Sequence, residues 1–249
     1  MASHVRSSSW PEDVHPLTRA IQDHLQKLTQ THSTCQKLGV LKSLYEAVDD
    51  FLHFPMNTLE DSTHLEDVSD GFLRVLDICS IARDVFLQMK EHVTDLESAL
   101  RRRSSLGDGY LVGFISKRRA MRRRVERDVK PMMKRNEKKT YDNVLRQVEE
   151  SSFEVISSLL ITSKARSGRG FVSKMFRPKK VECIEAKTDE IGLSEDELER
   201  MKRGNISVAE ELQRLKETEM GIEEVERGLE GVYKKLVRTR VSLLNILTN

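Results

Sequence analysis

Apolar residues recur along this chain at steps of three and four, the spacing that lines one face of an α-helix. A first run, Leu17, Ile21, Leu25 and Leu28, follows Pro16, whose missing N–H costs nothing in the first turn of a helix. A polar patch from Thr29 to Thr34 loosens the pattern. It resumes as Leu38, Leu41, Leu44, Val48, Phe51 and Leu52 and ends at Pro55. The second unit, about His64 to Arg103, keeps its spacing without a break through Leu65, Val68, Phe72, Val75 or Leu76, Cys79, Ala82, Phe86, Met89, Val93, Leu96 and Leu100. Asp61 or Ser62 is placed to cap its start, and Arg101-Arg102-Arg103 complements the negative end of the helix dipole. At ~1.5 Å per residue, about 40 residues predict a rod of roughly 60 Å.

Gly107 and Gly109 punctuate a turn. The third unit opens with Tyr110, Leu111, Phe114 and Ile115, turns strongly basic and meets Pro131. The lost N–H there and the restriction on Lys130 predict a break or kink. Beyond it Tyr141, Leu145, Val148, Ser152, Val155 or Ile156, and Leu159 form another stripe. Residues 166–193 hold no sustained period and read as a loop or linker. Ser194-Glu195-Asp196-Glu197 is a capping box before a short helix ending near Gly204. The last unit, about Ile206 to Leu247, carries Val208, Leu212, Leu215, Ile222, Val225, Leu229, Val232, Leu236, Leu243 and Leu247. Its Gly221, Gly228 and Gly231 each weaken it by about 1 kcal/mol relative to Ala, so it needs packing partners.

These stripes predict an all-α fold: an elongated antiparallel helical bundle of about four long helices, with a short extra helix and a flexible linker. A single domain spans residues 17–249, after a disordered N-terminus over residues 1–16. No repeat of fixed period emerges, which argues against a solenoid. Composition agrees. Of the 249 residues one third are charged, 5% are aromatic and 38% hydrophobic, below the roughly 45–50% apolar share of ordinary globular domains. A β-sandwich needs more β-branched and aromatic strands than that.

Several function classes fall away. Cys35, Cys79 and Cys183 are odd in number and lack C-x-x-C spacing, so neither a disulfide framework nor a cysteine-rich zinc site is indicated and a reducing compartment is expected. The longest apolar runs, such as Leu159-Leu160-Ile161, fall far short of the roughly 18 residues of a membrane span. Residues 1–16 have no secretory apolar core, and Trp10-Pro11-Glu12-Asp13 interrupts the faint transit-peptide character of Arg6 and its serines. A cytoplasmic protein is the expectation, with a peripheral membrane contact and import into an organelle left open. His4, His15, His24, His32, His53, His64 and His92 show no zinc-protease spacing. Asp49-Asp50 lacks the further aspartate of a magnesium-binding motif, since position 53 is His, and reads as a polar edge beside Val48 and Phe51. Gly107 to Gly113 has neither the dinucleotide nor the triphosphate loop spacing, and no nucleophile elbow or kinase signature is present. No catalytic residue, cofactor, metal site or small-molecule substrate is predicted.

Charge is the strongest local feature. The chain is nearly neutral, at +2. Yet Arg101 to Lys139 holds fifteen Lys/Arg against four acids, a net of +11, and Glu182 to Glu230 holds sixteen acids against seven bases, a net of −9. The basic pole centres on Lys117, Arg118, Arg119, Arg122, Arg123, Arg124, Arg127 and Lys130, the candidate anionic-surface residues. Three readings stand. The charges lie on a solvated face or pair with the acidic half. Or, following the apolar Tyr110 to Ile115, they meet an anionic membrane. Or they contact nucleic acid phosphates, without an aromatic stacking platform or recognition helix to give specificity.

The stretch Cys35-Gln-Lys-Leu-Gly-Val-Leu-Lys-Ser-Leu-Tyr-Glu-Ala-Val-Asp-Asp-Phe-Leu52 resembles the opening of a plant-specific all-helical family grouped with the BYPASS-related proteins. His15-Pro16-Leu17, Asp70 to Cys79 with Arg83-Asp84, Leu100-Arg-Arg-Arg103 and the terminal Arg238-Thr-Arg-Val-Ser-Leu-Leu-Asn-Ile-Leu247 agree in the same order. The resemblance implies no enzymatic activity and no catalytic residues. It implies a plant protein of root and shoot development that acts through protein partners.

Overall fold

The computed structural model describes residues 16–54, 62–102, 108–134, 143–162 and 208–248. Among them six helices follow one another: α1 (Pro16–Gln30), α2 (Thr34–His53), α3 (Ser62–Arg101), α4 (Asp108–Lys134), α5 (Val144–Thr162) and α6 (Val208–Thr248). There is no strand among the described residues. The chain is all-α, as the periodicity predicts. The N-terminal residues 1–15, Asp61, Tyr141, the linker over 166–193 and the short helix after Ser194 lie outside the described residues.

Two helices of 40 and 41 residues, α3 and α6, form the long axis. Every apolar position expected on α3, from Leu65 to Leu100, is buried, and Val75 takes the core position while Leu76 is only partly covered. On α6, Leu215, Ile222, Val225, Leu229, Val232, Leu236 and Leu243 are buried in the same core. Each such side chain contributes roughly 1.5–3 kcal/mol over its exposed state. The two helices run antiparallel, because Arg83 pairs with Glu230 and Lys90 with Glu223, residue numbers rising on one as they fall on the other.

The polar patch after Leu28 becomes a true break. Residues 31–33 leave the helix, so α1 folds back on α2. α2 lies along α6 in the parallel sense: Leu38 meets Gly228, Lys42 meets Gly231, Glu46 pairs with Lys235 and Asp49 with Arg238. Gly228 matters because a Cβ there would lie 2.8 Å from Leu38 Cδ1, so the two backbones approach only through its absence. The expected glycine penalty on α6 is offset at this position by close packing.

α5 is started by Asn143, whose Oδ1 accepts the Leu145 N–H at 3.0 Å. It joins α2 and α3 through a buried polar seam. The Tyr45 hydroxyl donates to Ser152 Oγ at 2.7 Å, and Ser152 in turn donates to the Val148 carbonyl at 2.6 Å. Arg74 of α3 pairs with Glu149 of α5 and stacks 4.9 Å from the Phe153 ring centroid. Gly71 makes room for that pair: a Cβ on it would come within 2.2 Å of the Glu149 carboxylate.

Of the break or kink expected at Pro131, the break does not occur: α4 runs on through it to Lys134. The physical reason is position. Pro131 sits on the exposed side of the helix, as does Arg127, whose carbonyl loses its partner, so water can satisfy that group.

Candidate anionic-surface helix

α4 holds nine Lys/Arg against three acids, a net of +6. It packs chiefly on α3, in the antiparallel sense. Phe114, Val125 and Val129 are buried there, and Ile115, Met121 and Met132 are partly covered. At about 100° per residue, positions 114, 121, 125, 129 and 132 share one face. The opposite face is therefore fixed by the same docking. Positions 116, 119, 123, 127 and 130 follow it at steps of three and four, and all five are exposed. Arg119, Arg123, Arg127 and Lys130 thus make a cationic row about 16 Å long pointing away from α3.

The remaining candidates are distributed otherwise. Lys117 and Arg124 are exposed on one flank, Lys117 lying 3.7 Å from Asp95 of α3 and Arg124 3.7 Å from Asp128. Arg118 and Arg122 are half-buried, turned towards the α3 side. Within the row, Arg127 reaches Asp128 at 3.2 Å and Lys130 reaches Glu126 at 3.6 Å. Such exposed pairs contribute little. Acids of α6 are met by α3 instead, with Glu223 and Glu226 at Lys90 and Glu230 at Arg83.

Part of the apolar segment ahead of the basic run docks on α3. Phe114 is buried and meets His92 edge-on, with ring centroids 6.2 Å apart. Burial and nearby Lys117 hold the His92 imidazole below its ordinary pKa. Val112 remains exposed, while the side chains of Tyr110 and Leu111 lie outside the described residues. The helix presents charge to the outside and spends Phe114 on its own docking.

Elsewhere the described residues hold a small cavity, a buried carboxylate and two thiols. A cavity of about 20 Å³ between α3 and α4, lined by Ile81, Val85, Gln88, Met121, Arg124 and Asp128, has room for roughly one water. No cluster of three metal-ligating side chains occurs among the described residues. Asp49 is buried and held by Arg238 at 2.8 Å and by the Ser242 hydroxyl at 3.1 Å, which makes it a clasp between α2 and α6. Burial pushes the Cys79 thiol up to about 12 and the Cys35 thiol up to about 11. Neither is a poised nucleophile.

A helical bundle with a cationic helix strapped to its long axis is the class this geometry defines. The family model described as Protein BPS1 matches residues 37–246, so the chain belongs to that BYPASS-related family. The match spans α2 to α6 and leaves out α1. No curated protein and no solved structure matches the chain.

Proposed function

We propose that this chain is a non-enzymatic helical-bundle interaction protein that contacts anionic membrane surfaces peripherally through α4. The observation that carries the reading is the outward row Arg119, Arg123, Arg127 and Lys130, held in place by apolar docking on the other side of the same helix. No helix among the described residues is long and apolar enough to cross a membrane, which accords with a peripheral contact. With Phe114 committed to α3, adhesion is electrostatic rather than insertive. Membership of the BYPASS-related family supports a setting in root and shoot development, through protein partners.

Each Lys or Arg close to an anionic leaflet contributes about 1 kcal/mol. Reversing four of them removes at least ~4 kcal/mol, on the order of a thousandfold in partitioning. The test is flotation with phosphatidylcholine vesicles containing phosphatidylserine, at low salt, for the wild type and for Arg119→Glu/Arg123→Glu/Arg127→Glu/Lys130→Glu. The wild type should float and the variant should not. A wild type that stays at the bottom ends the membrane reading. The nucleic-acid alternative uses the same row. It predicts binding to random duplex DNA with a log–log salt slope near −4 for about four phosphates.

A further inference from the structure

The outer surface of α3 and α6, near the C-terminal end of α6, carries four exposed apolar side chains: Leu73 (37%), Val237 (40%), Val241 (52%) and Leu244 (39%). The antiparallel register brings them together. From the pair Arg83–Glu230, seven residues back along α3 and seven forward along α6 set Leu76 level with Val237. Three or four residues more set Leu73 level with Val241. Exposed apolar side chains grouped at one level of two neighbouring helices make a candidate interaction surface.

The two margins of the patch carry opposite charge. Glu66, Asp70 and Asp77 are exposed on α3 and recur with Leu73 at steps of three and four. On α6, Lys234 and Arg238 are exposed beside Val237 and Val241, Lys234 also reaching Glu230 at 3.3 Å and Arg238 also holding Asp49 at 2.8 Å. An occupant must therefore offer apolar residues flanked by a basic edge over α3 and an acidic edge over α6. The patch itself meets that description when inverted.

We propose that this patch is covered by a second copy of the chain, in a twofold dimer whose axis runs along the α3–α6 groove. Such an axis lays α3 of each protomer over α6 of its partner at the same height. The four apolar residues meet their counterparts, and each acidic margin meets a basic one. The register puts Asp77 at the height of residue 236, between the positions of Lys234 and Arg238 across the interface. An axis across the groove would stack the acidic margin on itself. The dimer face is separate from the cationic row of α4 and does not depend on its role.

Sedimentation equilibrium of the full-length protein at tens of micromolar tests this. The wild type should show about twice the 28.7 kDa monomer mass. Val241→Asp should be monomeric, and Asp77→Lys and Lys234→Glu should each weaken the dimer at least tenfold. Mixing the two charge variants should restore association to within a fewfold of wild type, because both cross-interface contacts then pair opposite charges. All three sites are exposed, so circular dichroism of each variant should match the wild type. A monomeric wild type, a Val241→Asp dimer, or a mixture no tighter than its components overturns the proposal.

Discussion

Replacing Gly71 by alanine would put a methyl group 2.2 Å from Glu149 Oε2, over 1 Å inside contact distance. The carboxylate is the end of a flexible side chain, so it can swing aside, but only by leaving Arg74. Arg74 is largely buried, and its Nε has no hydrogen-bond partner among the described residues even with the pair intact. Breaking a buried pair while keeping one charge costs roughly 3–5 kcal/mol. The helix propensity of alanine returns about 1 kcal/mol, leaving a net loss of roughly 2–4 kcal/mol. For a chain of this size that is a fall in Tm of about 4–16 °C. The assay is a thermal or urea melt followed by far-UV circular dichroism, for Gly71→Ala in two backgrounds. In Glu149→Ala the obstruction is gone, so the same substitution should become neutral or stabilising. Gly71→Ala as stable as wild type, or an equal penalty in both backgrounds, refutes the reasoning.

Gly228→Ala should cost about 1–3 kcal/mol in urea melts by pressing on Leu38, while Gly221→Ala, with nothing within 4 Å, should gain about 1 kcal/mol. Tyr45→Phe should lower stability by about 1 kcal/mol through loss of its hydrogen bond to Ser152, and Ser152→Ala by more, since it strands a buried phenol. His92 has a folded pKa below its ordinary 6.5, so its contribution to stability is complete above that value. It falls as pH drops through 6.5 towards the folded value and then levels off. Urea midpoints measured across this range should slope for the wild type and flatten for His92→Phe.

Much of this architecture is legible in the sequence. Every apolar position of the expected stripes on α2 and α3 is buried, but both helices hide more than that, Val40 and Tyr45 on α2 and Ile78 and Val85 on α3, because each packs against several partners. Where two neighbours competed, as at Val155 and Ile156 of α5, both are buried, since α5 touches α1, α2 and α3. The cationic residues of α4 were equally visible, yet which of them point outward was not. That follows from Phe114, Val125 and Val129 choosing the docked face. Arg74 and Glu149 stand 75 residues apart in sequence, and no local pattern links them. Only the tertiary approach of α3 and α5 makes them a buried pair and gives Gly71 its reason. Pro131 does not end α4, because the carbonyl it leaves without a partner belongs to exposed Arg127, where water can satisfy it.

Which face of the bundle meets an anionic surface is the point on which the functional account turns. Single labels answer it directly: a fluorophore on Ser116→Cys, in the outward row of α4, and another on Gln22→Cys, exposed on α1. Vesicles containing phosphatidylserine and a headgroup-bound quencher should quench the α4 label strongly and the α1 label little, with the difference lost in high salt. Equal quenching at both sites, or stronger quenching on α1, would contradict the account.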